Sequence, residues 1–194
     1  MRNRKIRYLV LSAALMCVLT ACSKNGIKEG TELLEKGDFE KAASVFEQAA
    51  KEAETEGERA PEAYRGMGMA CYALEDYEGT RQNLQKALDE GGLETPIIYN
   101  LIGVSSMKLE EYDTALAAFD KGTGLPEIGV VSRGSKEEET ADYSEVIREM
   151  KFNRVVCLEK KLDWENAKAA MAEYASLYPD DANAQKEAEF LSTR

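Results

Sequence analysis

The sequence predicts an all-α fold, an array of paired helices, and three observations carry that expectation. A phrase of acid, aromatic, acid, any residue and small residue occurs four times: Asp38-Phe39-Glu40-Lys41-Ala42, Asp76-Tyr77-Glu78-Gly79-Thr80, Glu111-Tyr112-Asp113-Thr114-Ala115 and Asp163-Trp164-Glu165-Asn166-Ala167. Around each copy, large apolar and small residues recur at intervals of three and four, the spacing of a helix face. Only Ile128 to Val131 reads as extended, too short a run to change the class. Repetition at this period marks stacked units, so function is expected on a surface built by several copies rather than in one pocket.

The chain opens with a segment unlike the rest. Arg2, Arg4, Lys5 and Arg7 form a basic start, and Tyr8 to Leu19 is apolar except for Ser12. That run falls short of the ~20 residues a membrane-spanning helix needs and reads as the core of a secretory leader. Leu19-Thr20-Ala21-Cys22 closes it and resembles a bacterial lipobox. The resemblance implies that residues 1–21 are a lipoprotein signal peptide and that the Cys22 thiol receives a lipid. It implies too that Cys22 becomes the new N-terminus, with residues 22–26 as lipidated Cys and short tether. A second acyl chain would meet the usual need of stable anchoring for two hydrophobic signals.

Removing the four leading basic residues leaves 21 Lys and Arg against 36 Asp and Glu, a formal charge of −15. So acidic a body is repelled by nucleic acid and by anionic lipid, and attachment to a membrane has to be covalent. Ser23 is not the Asp that resembles a retention signal for the inner membrane. The outer membrane is therefore favoured in a Gram-negative host, and the outer face of the cell membrane in a Gram-positive one. Of four cysteines, Cys71 and Cys157 remain in the body, too few for a disulfide framework. Both lie in apolar helical patterns and are expected to be small core residues.

Each unit can be counted outward from its phrase. Gly30, Gly68, Gly103 and Val155 lie eight residues before the first acid, and Phe46, Leu84, Phe119 and Met171 follow the small residue by four. Two helices per unit result, the first carrying the Gly and the second starting at the phrase. Its leading acid is expected to cap free N–H groups, and its second acid to sit in the first turn where the dipole favours negative charge. Pro61 and Pro96 mark first helical turns, with Thr95 as a cap, and Gly91-Gly92 ends a helix.

The matching residues Gly30…Leu33…Gly37-Asp38-Phe39…Ala42…Phe46…Ala49, Tyr64…Gly68…Tyr77…Leu84…Ala87, Tyr99…Gly103…Tyr112…Ala115…Phe119 and Trp164…Ala167…Pro179 resemble the tetratricopeptide repeat (TPR). The resemblance implies a right-handed superhelical array of about four helix pairs over residues 27–180. Its units fall near 27–58, 61–92, 96–125 and 143–180, with a capping helix over 181–194. Successive phrases are 38, 35 and 52 residues apart, so the chain carries an insertion over residues 126–142. It reads as a loop packed on its own helices and followed by a lengthened helix from about Tyr143, or as a segment that fills the chain's own groove or touches a partner. Ser135 and Glu138 within it read as a capping box.

No chemistry-bearing constellation accompanies this scaffold. The chain has no His, which removes His-dependent triads and nearly all ordinary zinc sites. Its carboxylate pairs read as solvated helix faces. No enzyme activity, cofactor or metal is expected. The resemblance instead implies that the first helix of each unit lines a concave groove that grips a protein or peptide partner.

Projection of the repeat places Ile27, Thr31 and Leu34 in that groove, with Ile27 and Thr31 where the best-known family groove has its carboxylate clamp. Arg65, Met69 and Tyr72 follow from the second unit, Asn100, Val104, Met107 and Lys108 from the third, and Phe152, Val156 and Glu159 from the fourth. Two other classes stay open: a self-associating structural protein, and a small-ligand or wall-glycan receptor stacking sugars on Tyr72, Tyr99 and Trp164. Cys22→Ser should abolish lipid labelling and leader removal in cells; unchanged processing would refute the lipobox.

Overall fold

A computed structural model describes residues 25–132 and 138–194 of the chain. The leader and Cys22 lie outside the described residues. Contacts divide the chain between Leu93 and Glu94 into two compact units. The first holds α1 (residues 25–36), α2 (Phe39–Glu56), α3 (Pro61–Ala73) and α4 (Tyr77–Asp89). The second holds α5 (Pro96–Lys108), α6 (Tyr112–Thr123), a hairpin of β1 (Ile128–Ser132) and β2 (Glu138–Asp142), α7 (Ser144–Lys160), α8 (Trp164–Leu177) and α9 (Ala182–Ser192). The fold is an all-α repeat of helix pairs, as the phrase spacing predicts. Among the described residues no helix is long and apolar enough to cross a membrane. The helix α1 already includes Asn25 and Gly26, so both are helical rather than tether.

The turn inside each pair is the same in all four copies. The residue before each leading acid is left-handed: Gly37 at φ +79°, Glu75 at +60°, Glu110 at +61° and Leu162 at +59°. Behind it, paired backbone bonds close the preceding helix, as in Glu75 N–H to Tyr72 C=O at 3.0 Å and Asp76 N–H to Cys71 C=O at 2.9 Å. Leu162 and Asp163 repeat this onto Glu159 and Leu158. These bonds satisfy helix-end carbonyls, which offsets the strain of three non-glycine residues in that region.

Packing within the pairs depends on missing side chains. A Cβ on Gly30 or Gly66 would stand closer than 3.0 Å to the Phe46 ring, one on Gly103 would meet the Phe119 ring, and one on Gly68 the Leu84 side chain. Phe46, Leu84 and Phe119 are in turn fully buried. Each fills the space that the glycine leaves, which justifies the helix-propensity loss of ~1 kcal/mol per Gly. Val155 replaces the glycine in the last pair and is itself buried, together with Met171 and Tyr174.

Capping is less uniform than the phrase predicts. Asp76 accepts from Gly79 N–H at 2.9 Å and Asp163 from Asn166 N–H at 3.3 Å. Asp38 makes no cap bond and accepts instead from Lys41 Nζ at 3.2 Å, and Glu111 makes no cap bond either. Thr95 does cap α5, accepting from Ile98 N–H at 3.4 Å.

The insertion corrects the sequence reading most. Glu138 begins a strand rather than a helical turn, so the capping box with Ser135 does not form; Ser135 itself lies outside the described residues. The strands pair antiparallel from Ile128 opposite Asp142 to Ser132 opposite Glu138. Tyr143 N–H donates to Glu127 C=O at 2.7 Å across the base, and the buried Tyr143 ring lies where a side chain on Gly129 would stand. Asp142 then accepts from Ser144 N–H at 2.9 Å and leads the chain into α7.

Gly103→Ala should lower stability by up to about 2 kcal/mol, an overpacking cost of ~1–3 less the ~1 kcal/mol that Ala gains in a helix. Urea melts of Gly103→Ala, Phe119→Leu and the double variant should show a loss smaller than the two single losses together. Strict additivity would mean that ring and backbone are not in contact.

Candidate functional site

Each unit presents its own face of first-helix side chains. In the first unit, Ile27 and Leu34 pack against the core, while Thr31 is exposed and donates to Ile27 C=O at 2.8 Å. Arg65 and Tyr72 are half-buried on α3, and Met69 between them is 42% exposed. The Tyr72 ring stands edge-on to Tyr77 of the phrase, centroids 6.2 Å apart. The aromatic of this phrase therefore turns back onto the preceding helix.

The opposite side of α3 borders a cleft of 580 Å³ between α2 and α4, floored by Met67 and Cys71. Cys71 is half-buried there, not a core residue, and accepts a weak bond from Asn83 Nδ2 at 3.8 Å. Burial raises its thiol above the ordinary value, so it is no activated nucleophile. Cys157 is fully buried, and its thiol is pushed up to about 12 by desolvation. At the end of the cleft Lys86 reaches Glu54 at 2.7 Å and the Tyr64 hydroxyl at 2.5 Å, while Tyr64 donates to Glu54. These contacts tie α2, α3 and α4 together.

In the second unit, α7 packs beside α5, reaches α9 through the Arg148–Asp181 ion pair, and shares with α5 a channel of half-buried side chains. Asn100, Val104 and Met107 are half-buried along α5, with Lys108 exposed at its end, and Phe152, Val156 and Glu159 are half-buried along α7. Asn100 Nδ2 donates to Glu149 across the two helices at 3.3 Å. Phe152 packs edge-on against Tyr174 with centroids 5.4 Å apart. At this end a cavity of 250 Å³ opens between Glu145, Arg148, Glu149, Phe152 and the first turn of α9. The side chains that projection places on a groove are thus distributed as one face on α3 and one on α5 and α7. Trp164, one of the glycan candidates, packs half-buried against the core of the second unit, with Arg194 over its ring 5.5 Å from the centroid.

Two acids join α9 to this channel. Asp181 uses one carboxylate oxygen to cap α9, accepting from Asn183 and Ala184 N–H at 3.0 and 3.2 Å. Its other oxygen accepts from Arg148 at 2.8 Å and from the Tyr174 hydroxyl at 2.8 Å. Arg148, foremost, holds the Asp181 carboxyl well below the usual range. At the far end Glu159 meets Glu187 of α9. Desolvation and then the facing carboxyl push Glu159 up to about 7. Asp181 was legible as the start of the capping helix over 181–194, but the partners Arg148 and Tyr174 and the pairing of Glu159 with Glu187 depend on contacts between helices remote in sequence.

The comparisons with known proteins agree with this geometry. Residues 27–93 match the tetratricopeptide repeat family model. Among solved structures, the chain resembles YrrB, a TPR protein with an unusual peptide-binding site, at 21% identity and TM-score 0.67 over 87% of this chain and 75% of that one. A crystal structure of MamA matches at 14% identity and TM-score 0.68, covering 88% and 80%. MamA 41-end from Desulfovibrio magneticus RS-1 matches at 16% identity and TM-score 0.66, covering 89% and 85%. These likenesses establish the repeat fold. No curated protein matches the sequence significantly.

The Asp181 interactions have a pH signature. Its folded value lies below the unfolded value near 3.8, so its stabilisation is present above that pH and is lost as pH falls. Asn at this position keeps a capping oxygen but loses the charge. Asp181→Asn should therefore lower the thermal midpoint at pH 7, and the gap to the parent chain should narrow steadily as pH falls below about 4. A gap independent of pH would show that the carboxylate charge is not its source.

Proposed function

We propose that this chain is a lipid-anchored bacterial envelope protein whose helix-pair array holds a protein or peptide partner as an adaptor or assembly factor. The observation that carries the reading is the channel on α5 and α7. First-helix positions of successive pairs leave Val104, Met107, Phe152 and Val156 partly open to solvent, flanked by polar groups that can fix a bound segment. Apolar side chains in a row with adaptable Met among them suit a helix or extended segment laid along the channel. The peptide-binding site of YrrB, on a similar fold, supports the same class of ligand.

Attachment rests on the leader. The basic start, the apolar run and Leu19-Thr20-Ala21-Cys22 in that order support lipidation at Cys22 and residence on the outer side of a bacterial membrane. An acidic body with a covalent tether would be confined near the bilayer without adhering to anionic lipid. Confinement raises the effective concentration of the array for partners in the same layer.

A photo-crosslinking amino acid at Val156 or Tyr72, in cells, should give a discrete adduct that is absent when the same group replaces Gln48 on the exposed side of α2. Mass spectrometry then names the partner. Adducts that are equally diffuse at all three positions would refute the adaptor reading.

A further inference from the structure

The channel of the second unit joins an apolar floor to more acidic than basic groups, and that combination specifies a partner. Phe152 and Val156 form the floor, and Val104 and Met107 the α5 wall. Glu145 and Glu149 stand at one end and Glu159 with Glu187 at the other. Arg148 is the basic side chain lining the cavity at the first end; it is engaged by Asp181 at 2.8 Å and reaches Glu145 only at 4.0 Å, which leaves Glu149 without a cation there. At the second end, Glu159 Oε1 is shielded from solvent and receives no hydrogen bond among the described residues.

A shielded carboxylate without a donor is costly, and a second carboxyl against it increases the cost. The charged groups that act on Glu159 are Glu187 of α9 and Lys160 beside it on α7. Lys160 is exposed and only partly counteracts burial and Glu187. Because the folded value of Glu159 exceeds the unfolded one, the native chain holds an additional proton below neutral pH. Stability then falls as pH rises through that window. What the pair lacks is a cation placed between the two carboxyls.

We propose that this channel takes a basic amphipathic segment of a protein partner, with apolar side chains along Phe152 and Val156 and a Lys or Arg seated between Glu159 and Glu187. The inference rests on the adaptor reading above and gives that partner its chemistry. The acids at both ends complement a segment with Lys or Arg on either side of an apolar stripe, and they repel one bearing carboxylates. Seating the cation displaces the proton that Glu159 holds below neutral pH. Binding is therefore coupled to proton release.

The test uses the full-length chain in nanodiscs of zwitterionic lipid, with empty discs as the blank. Its probe is a twelve-residue amidated peptide with Leu at helical spacing and Lys between, and a twin has Glu for every Lys. The Lys peptide should bind, and the twin should not. Its affinity should rise about tenfold from pH 6 to pH 8 as a group titrating near 7 loses its proton. The chain has no His, so little else in it changes charge across that interval.

Glu159→Gln with Glu187→Gln should weaken the Lys peptide about thirtyfold or more and abolish the pH dependence. Removing two exposed acids of the first unit, by Glu35→Gln with Glu62→Gln, should leave both properties unchanged. Since the double Gln variant removes a repulsion, misfolding would not explain its loss of binding; circular dichroism melts should show equal or higher stability. Failure of the Lys peptide to bind, equal binding of the twin, or an unchanged pH profile in the Gln variant overturns the proposal. A partner crosslinked at Val156 through an acidic or uncharged segment overturns it too, while leaving the adaptor reading in place. Binding of the Lys peptide with no partner captured at any face does the reverse.

Discussion

The close approach of helix backbones at glycine governs the rest of this structure. Phe46 occupies the space left by Gly30 and Gly66 at once, one residue from each neighbouring first helix. The contact therefore fixes α2 against α1 and α3 together, and it does so by sterics rather than by a directional bond. Phe119 over Gly103 repeats the contact within one pair of the second unit. Because interiors are packed to crystal-like density, a methyl group at such a point has nowhere to go. The face that each first helix turns away from its glycine is then set by helix geometry alone. Met69, Val104, Val156 and Glu159 stand where they do because the glycines and Val155 face inward.

This division explains why so much of the fold was legible in sequence. Glycine, aromatic and small residue recur at fixed offsets, and the offsets alone identify four pairs, their starts at Pro61 and Pro96, and the helix after Asp181. What was not legible lacked a repeat. The hairpin occurs once, and its second strand reads Glu138-Glu139-Thr140-Ala141-Asp142, a composition without strand character. Pairing with Ile128–Ser132 and the bond at Tyr143 impose the extended form, and neither is visible to a local window. Cys71 was misjudged for a similar reason: its neighbours in sequence are apolar, but its position on α3 turns it toward the cleft beside Asn83.

The candidate site was legible in position and not in character. Helical spacing alone selects Asn100, Val104, Phe152 and Val156. Their setting comes from α9, which brings Asp181 and Glu187 against α7 from residues far along the chain. The two acids act in opposite senses. Asp181 is stabilised by Arg148 and Tyr174 and by the helix it caps, and it fastens α9 in place. Glu187 is thereby held against Glu159, a contact that two carboxyls would not make unaided. Stability provided at one end of α9 thus sustains an unfavourable pairing at the other, a common arrangement where a site is prepared for a ligand.

The left-handed turns within the pairs have a consequence for how such a chain can change length. Their conformation is the same whether the residue is Gly37, Glu75, Glu110 or Leu162, and the same backbone bonds close each one. A residue added there would break those bonds and rotate the second helix off its glycine. The connections between pairs carry no such constraint: they run from residue 57 to 60, 90 to 95 and 178 to 181, and from 124 to 143 where the hairpin is accommodated. Insertions and deletions in this lineage should accordingly accumulate between pairs and spare the turns inside them. New surface can then be grafted onto the array at its joints, with each helix pair inherited as an indivisible part.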